Sequence, residues 1–106
     1  MYVAVRLGRN DGTNMPNEIA IIGVYDTAGL ARKAILQNST HVFANLSGDS
    51  DFQPEGDRRL VIGSNTDIVD LYYGNPYDID YRLTWLIVEV SHDGVETGAF
   101  DYMAYK

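Results

Sequence analysis

The ten residues Arg82–Ser91 (RLTWLIVEVS) constrain what this chain can fold into more than any other segment. They are dense in β-branched and aromatic side chains, and the Asp93-Gly94 pair that follows suits a two-residue type I′ turn. A hairpin there commits the chain to an antiparallel sheet. With Asp93 and Gly94 as the turn, His92 pairs with Val95, Val90 with Thr97, Val88 with Ala99, Ile87 with Phe100 and Trp85 with Tyr102. This register puts Trp85, Ile87, Phe100 and Tyr102 on one face as an aromatic ladder, at about 0.2–1 kcal/mol per pair. Leu86, Val88, Val90, Thr97 and Ala99 take the other face.

The remaining strands are weaker signals. Val3, Val5 and Leu7 alternate with Tyr2, Ala4 and Arg6, the period-2 pattern of a strand with one buried face. Residues 8–18 are crowded with Asn, Asp, Gly and Pro and read as a long loop. Ile19–Tyr25 (IAIIGVY) is nearly all apolar, which predicts a central strand covered on both faces. Val42, Ala44 and Leu46 alternate with His41, Phe43 and Asn45 as a possible short strand, 48–57 is an acidic loop, and Leu60–Ile62 is a short apolar run.

One segment has helical spacing. Asp26 and Thr27 can cap the orphan amides of a helix start, and Leu30, Ala31, Ala34 and Ile35 then fall on one face. This predicts a helix over 27–38 with Leu30, Ala34 and Ile35 buried and Arg32 and Lys33 exposed. Asn38 and Ser39 end it. Residues 65–73 fit a helix capped by Asn65 or Thr66 about as well as a strand; the reading leans to helix, stopped by Gly74, Asn75 and Pro76. The expected fold is α+β in a single domain, 1–106. It has an antiparallel sheet of about four to five strands, one main helix on one face and an irregular acidic middle region. The segment 19–35, containing IIGVYDTAGLARKAI, resembles small uncharacterised phage and bacterial single-domain proteins. The resemblance implies a strand feeding a capped helix and brings no functional residues.

Charge and missing residue types narrow the function. Fifteen acids against eight Lys and Arg leave a net charge of -7, and such a surface repels phosphate, so direct nucleic-acid binding is not expected. With no cysteine there are no disulfides, thiolate nucleophiles or cysteine metal sites. The N-terminus lacks the pattern of a secretory leader, and no apolar run approaches the roughly 20 residues that span a bilayer. A cytoplasmic protein with no membrane association is expected, making the sequons at Asn38 and Asn45 chance matches.

Catalytic and metal motifs find little to stand on. Neither GxxxxGK nor GxGxxG occurs, and no GxSxG elbow holds a serine. His41 and His92 lack partners at ligand spacing. Asp49, Asp51, Glu55 and Asp57 fail the EF-hand pattern, with Pro54 where glycine is needed and Leu60 where a bidentate glutamate is needed. Asp78 and Asp80 could form a hydrolytic carboxylate pair, but eleven aspartates in 106 residues make many such pairs by chance. No cofactor and no metal are expected.

What stands out is tyrosine. Tyr72, Tyr73, Tyr77 and Tyr81 lie within ten residues of one another, interleaved with Asp70, Asp78 and Asp80 and preceded by Asp67. Tyrosine supplies large, stiff contact area with a hydrogen-bonding end, which enriches it at interfaces. These eight residues are the expected partner-binding set of a non-enzymatic protein-interaction domain whose partner is a basic protein surface. Its concrete form would be a phage-encoded regulator or inhibitor of a host nucleic-acid enzyme or defence system. The alternatives are a small-ligand-binding protein or small enzyme, with Arg58 and Arg59 converging on a pocket, and a subunit of a larger assembly.

Overall fold

The segment singled out first is the middle of the sheet. In the computed structural model, which describes residues 1–10 and 16–91, all of it but Val90 and Ser91 lies in a strand spanning Asp78–Glu89. Four strands flank it, giving β1 (Tyr2–Asn10), β2 (Glu18–Tyr25), β3 (Arg59–Asn65), β4 (Ile68–Asn75) and β5 (Asp78–Glu89). All neighbours are antiparallel, in the order β2-β1-β5-β4-β3. A single long helix, α1 (Ala28–Ser47), crosses one face, and the fold is α+β with an open sheet. The hairpin at Asp93-Gly94 and its register lie outside the described residues. Within them, Trp85 stands beside Arg6 of β1 and Val69 of β4.

Two apolar layers result from the alternation of side chains along the strands. On the helix side, Ala4, Val69, Leu71, Leu83, Trp85 and Ile87 pack with Ala31 and Ile35 of α1. On the other side, Val5, Leu7, Leu86 and Val88 form a second buried cluster. β1 therefore buries residues on both faces, where its sequence pattern predicts one.

Three expectations need correction. Among the described residues the run Ile19–Tyr25 is an edge strand, not a central one: Ile19, Ile21 and Val24 are 70, 69 and 55% exposed. An apolar run reports affinity for a sheet but not position in it, and only Ile22 and Tyr25 of β2 reach the helix-side core. The lean toward helix at 65–73 also fails, since Ile68–Asn75 is β4. Apolar residues fall on both of its faces, Val69, Leu71 and Tyr73 on one and Ile68 on the other, which erases the period-2 signature.

The third correction concerns α1, which runs past Asn38 and Ser39 to Ser47 and absorbs the strand expected around 41–46. Both polar residues are used inside the fold. Asn38 Oδ1 accepts a 2.8 Å hydrogen bond from Trp85 Nε1, and the buried Ser39 donates its hydroxyl to the Leu36 carbonyl at 3.1 Å. Val42, Phe43 and Leu46 continue the buried stripe begun by Ala31 and Ile35. Leu30, expected inside, is 51% exposed; Lys33 is exposed, while Arg32 and Ala34 are half-buried.

The helix start follows the sequence. Thr27 adopts extended backbone and its Oγ1 accepts from the Leu30 amide at 3.2 Å. Thr27→Ala should lower stability by about 1 kcal/mol, the usual worth of a side-chain cap, and Thr27→Ser should restore it. Urea unfolding followed by circular dichroism reads the difference.

Candidate interaction surface

The hairpin joining β4 and β5 carries the most exposed part of the tyrosine-rich segment. Asn75 pairs with Asp78, leaving Pro76 and Tyr77 as a two-residue loop, and Asn75 Oδ1 accepts from the Tyr77 amide at 2.9 Å. Gly74, at φ 144°, lets the two strands approach closely below the loop. A β-bulge beneath it makes Asp80 the extra residue, between the Gly74–Ile79 and Tyr73–Tyr81 pairs. Tyr77 is 98% exposed.

Arg58, just before β3, ties this tip down. Its Nη2 donates to Asp78 Oδ2 at 2.6 Å and its Nη1 to the Asp78 carbonyl at 3.0 Å, while Asp80 Oδ2 lies 2.9 Å from Nη1. The hydrogen bond to Asp78 holds the guanidinium above its ordinary range, against a smaller desolvation effect and with help from the charges of Asp80, Asp78 and Asp57. Asp57 joins from the same side, accepting from Asn75 Nδ2 at 3.3 Å. Three carboxylates (Asp57, Asp78 and Asp80) stand around the Arg58 guanidinium, and the exposed Arg59 is paired with Gly74 just below the tip, so acids still outnumber bases there.

The other expected partner-binding residues go elsewhere. Tyr73 is buried, donating its hydroxyl to the Gln53 carbonyl at 2.8 Å and meeting Phe52 edge-on at 5.6 Å between ring centres. Tyr81 packs on the same Phe52, at 5.3 Å, and burial pushes its hydroxyl above the usual tyrosine range, with Glu18 adding to the rise and Arg6 opposing it. These two rings belong to the helix-side core and anchor the loop that follows α1. Asp67 sits in the β3–β4 turn at the far end of β4, roughly 23 Å from the tip at about 3.3 Å per residue, and is ion-paired with Arg32 of α1.

Asp70 and Tyr72 lie on the face away from α1. Asp70 accepts from Arg82 Nε at 2.9 Å and from the Thr84 hydroxyl at 2.9 Å, and Thr84 in turn accepts from the buried Arg9 at 3.1 Å. Its oxygens are committed to a structural network. Tyr72 lines a shallow cavity of about 340 Å³ with Val61, Gly63, Ile68 and Asp70. The structure thus gathers Tyr77, Asp78 and Asp80 and separates them from the other five. The role of Arg58 as organiser of the tip is not legible in the sequence, where the Arg58-Arg59 pair suggests a pocket and carries no signal of which carboxylates it will bridge.

Other sequence features resolve into structural roles. Asp49 caps the short turn Ser50–Phe52 by accepting from the Asp51 amide. Exposed His41 lies 3.3 Å from Asn45 Nδ2, and His92 is outside the described residues. Among the described residues no group of three or more His, Cys, Asp or Glu could hold a metal ion, and no helix is long and apolar enough to cross a membrane. The sequon at Asn38 has its side chain bonded to Trp85 in the core. No protein-family model matches the chain, and no similar curated protein or solved structure was found.

Proposed function

We propose that this chain is a non-enzymatic protein-interaction domain that presents the β4–β5 tip to a basic protein surface. The observation that carries the reading is Tyr77, almost wholly exposed on a loop rimmed by Asp57, Asp78 and Asp80. An aromatic ring held out on a two-residue loop loses little conformational freedom when it enters a pocket. The surrounding excess of carboxylates favours a cationic rim and speeds encounter with it. A cationic site that ordinarily holds phosphates is one surface such a tip fits. Inhibition of a host nucleic-acid enzyme by a phage-encoded protein is the concrete form this would take.

The two kinds of residue have separable effects on association. Asp78→Asn with Asp80→Asn should lower the on-rate about tenfold at low salt and flatten its salt dependence, since long-range attraction acts before contact. Tyr77→Ala should instead raise the off-rate about thirtyfold, the kinetic equivalent of losing a hot-spot anchor worth about 2 kcal/mol. Surface plasmon resonance against the partner, over a salt series, separates the two. A partner indifferent to salt and to all three residues would contradict the reading.

A further inference from the structure

β2 is an outer strand of the sheet, and among the described residues nothing pairs with its free edge. A free row of backbone N–H and C=O groups pairs readily with another extended chain, and edge strands are usually blunted by charged side chains, above all lysine, by proline, by a β-bulge or by short length. β2 has eight residues, EIAIIGVY, with neither lysine nor proline. Its single charge, Glu18, is held by Arg6 at 2.9 Å. Ile19, Ile21 and Val24 are left 70, 69 and 55% exposed.

The irregularity in this strand gives it a symmetry. Ile22 is an extra residue between the Ile21–Val5 and Gly23–Ala4 pairs. The bulge brings Ile19 and Val24, five residues apart, onto the same face, which a regular strand would not do. Read against itself antiparallel, the strand then sets Ile19 opposite Val24, Ala20 opposite Gly23 and Glu18 opposite Tyr25, each of these three pairs on one face, while Ile21 and Ile22 at the centre point to opposite faces. Large residues meet large and small meet small.

Charge and area point to the same occupant. The described acids apart from Glu18, Asp26 and Glu89 lie between Asp49 and Asp80, so two copies each carrying -7 can approach along this edge, whose Glu18 is paired with Arg6, better than along the loops. An eight-residue strand is about 26 Å long, and with a sheet thickness of about 10 Å it covers roughly 260 Å² per partner. That is well below the ~800 Å² per partner of a standard stable interface. The expected association is weak and concentration-dependent.

We propose that two copies of this chain pair antiparallel through β2, about a two-fold axis between Ile21 and Ile22, joining two five-stranded sheets into one of ten strands. The chain has no cysteine, so engineered thiols report on the register without background. Ile19→Cys combined with Val24→Cys should give a covalent dimer under mild oxidation, while Ile19→Cys alone should not, its thiols lying about 17 Å apart at 3.3 Å per residue. In sedimentation equilibrium the weight-average mass should rise from 11.8 kDa toward twice that value with concentration. It should rise further between 0.1 and 1 M salt, where screening shortens from about 10 to about 3 Å.

Ile21→Lys, at an exposed site that leaves the fold intact by circular dichroism, should hold the mass at 11.8 kDa under all these conditions. The salt response is opposite in sign to that of the acidic tip, so the two readings fail separately. Three results would each overturn the proposal: a wild-type chain that stays monomeric to about 1 mM, a dimer that survives Ile21→Lys, or single and double cysteine variants that cross-link equally.

Discussion

Trp85→Ala should lower the unfolding free energy by about 3–5 kcal/mol, the usual cost of truncating a buried tryptophan. Trp85 is fully buried between β1 and β4 beneath α1, and its indole N–H donates to Asn38 on the helix. Its loss would open a cavity in the helix-side core and leave the Asn38 oxygen without its donor. A domain of this size has about 5–15 kcal/mol in total, so the variant should be close to the edge of folding, with a melting temperature more than about 10 °C lower. Trp85→Phe separates the two contributions. It keeps most of the ring and should cost less, chiefly the about 1–3 kcal/mol of an unsatisfied buried acceptor. A loss below about 1 kcal/mol for the alanine variant, measured by urea unfolding, would mean that Trp85 is not the centre of this core.

The second large effect is expected at Gly74. A Cβ there would sit 2.5 Å from the Asp78 carbonyl oxygen and 2.9 Å from Ile79 Cα, both backbone atoms that cannot swing aside, at a φ of 144°. Strain at such a φ and overpacking each cost on the order of 1–3 kcal/mol. Gly74→Ala should therefore destabilise by about 2–6 kcal/mol and pry the β4–β5 tip apart. Gly63→Ala gives the control, because a Cβ at that position meets nothing within 4 Å and its φ is ordinary. Equal losses in the two variants would show that the close crossing at Gly74 does not hold the hairpin.

These expectations also show which parts of the fold the sequence expresses. Arg82–Ser91 announces a buried strand because β-branched and aromatic residues have little else to do, and the structure places most of that run in central β5. The start of α1 is legible for a local reason, since Thr27 reaches only three residues ahead. Its end is not. Asn38 and Ser39 look like stop signals until Trp85, 47 positions away, claims Asn38, and no local pattern contains that contact. The edge position of β2 is equally hidden, because rank in a sheet is set by what pairs with β1 on its other side. Within the tyrosine-rich segment, alternation decides whether a residue faces the helix, but Tyr73 and Tyr81 become core only because Phe52 arrives from the loop after α1.

Site-specific photo-crosslinking tests the tip as the contact surface most directly. A benzophenone side chain is placed at Tyr77, and for comparison at Leu36, which is 49% exposed on the outer side of α1. Both proteins are irradiated in lysate of the cells in which the gene acts. If the tip is the contact surface, position 77 alone should give a discrete crosslinked product, containing a basic protein, that fades when Asp78→Asn and Asp80→Asn are added and again in 1 M salt. Identical products from both positions, or a product at 77 that neither the asparagine variants nor salt diminishes, would contradict it.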